Sequence, residues 1–299
     1  MTSLALRLAA FLLIPALAAC GPRVEQAEAP TVVPGYEEVV DAGYVIPAVD
    51  PKHLIEGNQK EVVPYTAGDA PGSIVVDVYA RKLYWVHEDG TATRYAIAVG
   101  REGISFRGTG YVGRKAEWPS WTPTANMVRT RPDLYAEYAG GLPGGIDNPL
   151  GARALYLYRG GRDTMFRIHG TIDNASVGRA TSAGCIRLFN QDAIDLFNKA
   201  PVGTKVRVRT LEESLAVEGP YMDDAYGRVV PDTPENREKL IADEAAIAQK
   251  FEDDRIAAEK AREKHLRKCR RQGIPEDDCP PLELQEIEAV ETAAVGTSG

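Results

Sequence analysis

Between Ser73 and Arg209 the chain is a series of short runs in which apolar and polar residues alternate with period two, and this restricts the fold more than any other feature. "SIVVDVYA", "KLYWVH" and "TATRYAIAV" open the series, the last two separated by the turn residues Glu88, Asp89 and Gly90. "ARALYLY" and "TMFRIHG" lie on either side of Gly160 and Gly161, and "TKVRVR" closes it. Alternation of this kind puts apolar side chains on one face of an extended chain, so it predicts strands half-buried against a common core. One helix interrupts the series: "QDAIDLFNKA", with Asn190 as the expected N-cap and Pro201 as the stop. The expectation is a mostly β domain over residues 71–210, of a size that buries most of its apolar surface.

The flanks read differently. The first twenty residues, "MTSLALRLAAFLLIPALAAC", combine Arg7, an apolar run from Leu8 to Ala19 and small residues before Cys20. That is the make-up of an export signal, too short to remain as a membrane span. Leu17-Ala18-Ala19-Cys20 resembles the lipobox of bacterial lipoproteins, which implies cleavage before Cys20, lipidation of its sulfur and a periplasmic, membrane-anchored protein. Gly21 in place of Asp favours the outer membrane. Residues 21–70 hold Pro22, Pro30, Pro34, Pro47, Pro51 and Pro64 with few aromatics, and predict an extended tether without a core. After Thr210 the composition becomes charged, giving a helical extension and disordered tail over residues 211–299. Within it residues 234–272 predict one long helix ended near Gly273, with Leu240, Ile247 and Phe251 on one side of its first half only. A solvated appendage fits this pattern better than a coiled coil, and a protein partner for the helix is left open.

Residues 71–210 contain 19 Lys and Arg against 12 Asp and Glu, in a chain of net charge −8. The domain is therefore basic on an acidic chain, which implies an anionic ligand. Its arginines are scattered rather than clustered, so nucleic acid is not the expected partner. "GTGYVG" at 108–113 has the Gly-x-Gly-x-x-Gly spacing of a dinucleotide loop, but Trp118-Pro119 and Thr122-Pro123 follow where a helix must begin. These glycines read as a β-turn.

Cysteine and histidine are scarce, at four each. In an oxidising compartment Cys269 and Cys279, flanking the polar "RRQGIPEDD", are candidates for a disulfide that would remove roughly 3 kcal/mol of unfolded-state freedom. Cys185 is the thiol that remains, and His169 precedes it by sixteen residues, each beside a glycine. A cysteine nucleophile needs its thiolate, and an imidazole supplies it by taking the proton and later returning it to a leaving amine. "FRIHG" reads as a strand ending at Gly170, and "ATSAGCIRL" reaches the next strand through Gly184, whose N–H and that of Cys185 could form an oxyanion hole. From these residues alone a buried structural cysteine and a satisfied core histidine stay equally open. The spacing of closed zinc sites is missing, so no metal and no cofactor are expected.

The flanking residues decide between the two. "HGT", then "SAGCIRL", then "N.D...LF" resemble the signature of the L,D-transpeptidases, the YkuD-like catalytic domain of peptidoglycan crosslinking enzymes. The resemblance extends from residue 71 to about 210 and takes in "IVVDVYARKLYWV", "NPLGARALYL" and "VGTKVRV". It implies a YkuD-like β-sandwich with a mixed sheet and a short helical insertion, beside the long C-terminal α-helix. It implies that Cys185 is the nucleophile, His169 its base and acid, Gly170 the carbonyl that orients the ring, and Gly184 and Ser182 supports of the loop. Arg187 and Thr171 would contact substrate, Arg187 through a carboxylate. The implied reaction runs through a Cys185 thioester on peptidoglycan tetrapeptide stems to 3→3 crosslinks. Ala183 stands where many members have His, and Arg187 where many have Asn, and the proline of a common Thr-Pro-x-Gly element is missing after Thr109. A protein lysine, a D-amino acid or water stay open as acceptors, as does a non-catalytic peptidoglycan-binding lipoprotein.

Overall fold

The computed structural model describes residues 32–55, 57–100, 106–182 and 184–281. The expected signal, Cys20, Ala183 and the tail after Pro281 lie outside the described residues. Among those described, no helix is long and apolar enough to cross a membrane.

In chain order the strands are β1 (Val39–Asp41), β2 (Tyr44–Ile46), β3 (Glu61–Pro64), β4 (Ile74–Asp77), β5 (Lys82–Val86), β6 (Thr91–Ala96), β7 (Val99–Gly100) and β8 (Thr109–Glu117). Two short helices follow, α1 (Ala125–Thr130) and α2 (Pro132–Tyr135), then β9 (Arg153–Arg159), β10 (Arg162–His169), β11 (Ala180–Ser182) and β12 (Ile186–Arg187). The chain closes with α3 (Asn190–Lys199), β13 (Lys205–Val208), α4 (Leu211–Val217), β14 (Tyr221–Asp223), β15 (Val229–Pro231) and α5 (Pro234–Arg271).

Nine strands form one mixed sheet in the order β12-β10-β9-β8-β13-β4-β5-β6-β3, with β13–β4 and β10–β12 as its parallel pairs. The sheet folds over on itself. The chain leaving β6 reaches the opposite edge, where Ala98 and Arg187 exchange backbone hydrogen bonds of 2.9 and 3.0 Å, and β7 pairs with β11. Between the two halves lies the main core, to which Ile74, Val76, Leu83, Val112, Leu155, Ile168, Ile186 and, from α3, Leu196 contribute. Period-two alternation accounts for this: Ile74 and Val76 face that core, while Val75 points to the other side, against Tyr84, Val86 and Ala92.

Four expectations are corrected. Residues 21–70 were expected to form a coreless tether, but from Val33 the chain is part of the fold. Tyr36, Val49 and Leu54 are buried against Ala96, Val177 and Phe189, and β3 pairs with β6 as the sheet's edge. Among the described prolines, Pro51 opens a short turn of helix and Pro64 ends β3, and the apolar residues between them are free to pack. The extension is likewise not all appendage: α4 carries a capping box between Thr210 and Glu213, and Glu218 after it binds Arg209, Lys82 and Tyr84. Only α5 stands off, exposed along nearly its whole length, its end joined to the following turn by the Cys269–Cys279 disulfide. Gly110 and Gly113 lie within β8 rather than in a β-turn. A Cβ at Gly113 would come 2.2 Å from the Tyr158 ring, so glycine lets the two strands close up. Finally, Asn190 is the first residue of α3 and not its cap, because its side chain is engaged elsewhere.

Candidate active site

The parallel pairing of β10 with β12 sets the site. Ile168 lies opposite Ile186 and His169 opposite Arg187. Both isoleucines point into the core. Because side chains alternate along each strand, Arg167 and His169 of β10 and Cys185 and Arg187 at β12 all turn to the other face. There they line a single cleft of about 600 Å3. The sixteen-residue separation of His169 from Cys185 thus resolves into adjacent strands presenting both side chains to one space.

The backbone around His169 is held from three directions. Its carbonyl accepts from the Leu188 amide at 2.8 Å, and Gly170 N–H donates to the Arg153 carbonyl at 3.0 Å. Asn190 completes the arrangement: its Oδ1 accepts from the Ala152 amide at 2.9 Å and its Nδ2 donates to the Thr171 carbonyl at 3.0 Å. A Cβ at Gly170 would sit 2.1 Å from that same Oδ1, so glycine is required by the clamp as well as by the catalytic motif. Gly184 has φ +118°, a backbone angle that side chains disfavour, and turns the chain from β11 into Cys185. β11 holds Ser182 through backbone pairing with Gly100. Thr171 is a correction. Expected to meet substrate, it is buried, and its hydroxyl accepts from the Asp173 amide to close a turn behind the site.

The protonation states follow from burial. His169 Nδ1 lies 2.5 Å from the Gly170 carbonyl, which can only accept, so Nδ1 carries the hydrogen and Nε2 is the basic nitrogen of the neutral ring. Burial, reinforced by the charge of Arg187, pushes the ring's pKa down to about 3. Burial raises the Cys185 thiol, although a backbone contact from Arg167 and the charges of Arg167 and Arg187 pull it back in part. The resting pair is therefore thiol and neutral imidazole.

One wall of the cleft is the excursion from Trp118 to Ala152 between β8 and β9, which contributes Trp121, Met127, Arg131, Tyr135 and Leu150. The floor holds Tyr156, sandwiched between Arg114 at 3.4 Å and Arg167 at 4.2 Å from its ring centre. Arg167 is also fixed by Asp163 at 2.6 and 2.9 Å, whereas Arg187 makes no ion pair among the described residues. Arg167 was legible from period two, two residues before His169. Asn190 and the wall were not. The one group of described side chains that could approach a metal, His265 with Cys269 and Cys279, lies at the end of α5 and in the turn after it, and both its sulfurs are in the disulfide.

The profile of the L,D-transpeptidase catalytic domain (YkuD) matches residues 71–208. A Fuscovulum blasticum protein that bears an L,D-transpeptidase name, reading frame 5 of the ATP synthase subunits region, is 39% identical over 137 residues, 45% of this chain and 68% of that one. ErfK/SrfK of Escherichia coli strain K12, which also bears an L,D-transpeptidase name, is 38% identical over 138 residues, 45% of this chain but only 43% of its own length. A solved chain from Brucella melitensis, named for a carnitine operon oxidoreductase, is 42% identical, with coverage of 54% of this chain and 98% of that one and a TM-score of 0.37. With the cleft's histidine and cysteine inside the matched segment, the chain belongs to the L,D-transpeptidase (YkuD) family.

Proposed function

We propose that the protein is an exported peptidoglycan L,D-transpeptidase that forms 3→3 crosslinks through an acyl-enzyme on Cys185. The observation that carries this reading is the presentation to one cleft of His169, at the end of β10, and Cys185, just before the parallel strand β12. As a tetrapeptide stem enters, Nε2 of His169 takes the thiol proton and the sulfur attacks the carbonyl carbon of the L-to-D peptide bond. The N–H groups of Gly184 and Cys185 receive the developing oxyanion. The C–N bond breaks, His169 returns the proton to the departing D-alanine amine, and the stem is left as a thioester. The side-chain amine of a neighbouring diaminopimelate then attacks, its proton passes to Nε2, and the C–S bond breaks as the thiol is restored. One peptide bond replaces another.

Arg187, which lines the cleft and makes no ion pair among the described residues, is assigned to a stem carboxylate. The signal and lipobox of residues 1–20 support a periplasmic protein tethered through a lipid on Cys20. Incubation of the protein lacking residues 1–20 with tetrapeptide-rich muropeptides, beside Cys185→Ala, tests the reading by mass spectrometry. Dimers that have lost one D-alanine are expected from the wild type alone. Tripeptide monomers would assign water as the acceptor, and turnover by Cys185→Ala would refute the cysteine chemistry.

A further inference from the structure

Both ends of the cleft's wall are tied to one carboxylate that lies outside the matched domain. Asp41, at the end of β1, accepts through Oδ2 from the Trp118 indole at 2.7 Å, where the excursion leaves β8. The same carboxylate takes the Arg153 guanidinium in a two-pronged pair of 2.7 and 2.8 Å, where the excursion returns into β9. Its partners are 77 and 112 residues away in sequence. The hairpin adds a second hold. The Tyr44 ring lies 4.3 Å from that of Trp118, and its hydroxyl donates to the Gly144 carbonyl near the wall's end. Trp118 itself has φ +39°, an angle that a bulky residue adopts only when its surroundings impose it, and a Cβ at Gly144 would lie 1.9 Å from the Trp118 carbonyl.

The tie reaches the chemistry through two backbone steps. Arg153 offers its carbonyl to Gly170 N–H, next to His169, and Ala152 offers its amide to Asn190. The hairpin is in turn anchored away from the cleft, since Gln191 of α3 donates to the carbonyls of Glu37 and Pro47 at 3.0 Å. Trp121, Met127 and Tyr135 of the wall face the cleft; the Trp121 and Tyr135 rings lie 6.2 Å apart and Trp121 exchanges backbone hydrogen bonds with Leu142, so the wall holds together as a unit whose placement over the cleft depends on where the excursion begins and returns.

We propose that Asp41 is a positioning residue: through Trp118 and Arg153 the β1–β2 hairpin latches the wall at the height that receives the stem peptide. The segment between signal and catalytic domain is thereby part of the substrate site. This rests on the transpeptidase reading for its substrate but not for its geometry. The carboxylate's role is to accept three donated hydrogens, so Asp41→Asn, which keeps the shape and turns one acceptor into a donor facing a donor, is the informative change.

The test uses the protein lacking residues 1–20. Asp41→Asn is expected to raise KM for a tetrapeptide stem about tenfold, with kcat and the rate of Cys185 alkylation by iodoacetamide within twofold of wild type, and Asp41→Glu is expected to recover part of the loss. Hydrogen exchange should rise over residues 119–150 and stay unchanged over β4 to β6. Unchanged KM with unchanged exchange overturns the proposal. A parallel fall in thermal midpoint, alkylation and kcat also overturns it, since that would mark a residue needed only for folding. If the wild type fails to turn over stem peptides, the transpeptidase reading fails, and the exchange comparison still decides the latch.

Discussion

Alkylation of Cys185 by iodoacetamide, followed from pH 5 to pH 10, reads the protonation state from which the reaction starts. The protein lacking residues 1–20 suits the measurement, because Cys20 is gone and Cys269 and Cys279 are joined. Burial raises the Cys185 thiol above the ordinary cysteine range, and His169 is held near a pKa of about 3. Both displacements act in the same direction: a harder-to-ionise acid beside a harder-to-protonate base keeps the proton on sulfur. The thiol with neutral imidazole is therefore the dominant form at rest, and the thiolate–imidazolium pair the minor one.

The expected profile is a single limb that climbs about tenfold per pH unit through neutrality and reaches half its maximum above the range of an ordinary cysteine. A preformed ion pair would instead give a plateau established in the acid range. Absolute rates discriminate poorly, because thiolate nucleophilicity falls with pKa at a slope of about 0.4–0.5, so the shape of the curve decides. Arg187→Gln removes a charge that lowers the thiol's pKa, and should move the half-maximum further up. A plateau below pH 6, or one that His169→Gln abolishes, would refute the reasoning. If the limb is as expected, the proton leaves sulfur only when a carbonyl is in reach, and the enzyme avoids keeping a thiolate exposed to oxidants.

Other parts of the fold can be probed with equal directness. Asn190→Ala strands a buried amide and a buried carbonyl beside His169, each costing about 1–3 kcal/mol, and should lower the urea midpoint accordingly; an unchanged midpoint would deny the clamp. Asp192 is buried with Lys60 at 3.6 Å as its ion-pair partner, and burial raises its pKa to about 7. Because the folded-state value lies above the unfolded one, its favourable contribution is complete below about pH 4 and is lost as pH rises through about 7. Asp192→Asn should therefore gain stability relative to wild type on going from pH 4 to pH 8, by up to about 4 kcal/mol, and a pH-independent difference in thermal midpoint would contradict this. Reduction of Cys269–Cys279 should raise hydrogen exchange over residues 265–279 and leave Cys185 alkylation untouched, since α5 stands apart from the cleft.

The parts of this protein that the sequence made legible are those encoded within a few residues. Strands β4 to β6 follow from alternation because each needs only to know which of its own faces is apolar, and α3 follows from ten residues ended by a proline. The same rule reaches into the site: Arg167 and His169 share one face of their strand and Cys185 and Arg187 one face of theirs, and the pairing of His169 with Arg187 makes it the same face. Where a property depends on distant partners, local pattern fails. Prolines of the 33–64 segment suggested a tether, while Tyr36 and Asp41 make their contacts with α3 and with both roots of the wall. Thr171 was expected to contact substrate from the family resemblance, yet in the turn after the strand its hydroxyl accepts from the Asp173 amide. Protonation is the extreme case, since desolvation is set by every element packed around an atom and has no signature in the residues beside it. A motif can therefore single out the candidate residues, as it did His169 and Cys185, while their protonation state, and the wall placed over them, are properties of the whole packed chain. That division explains why a thiolate held ready by imidazolium is a natural reading of the sequence, while desolvation of the two groups favours the thiol and the neutral ring.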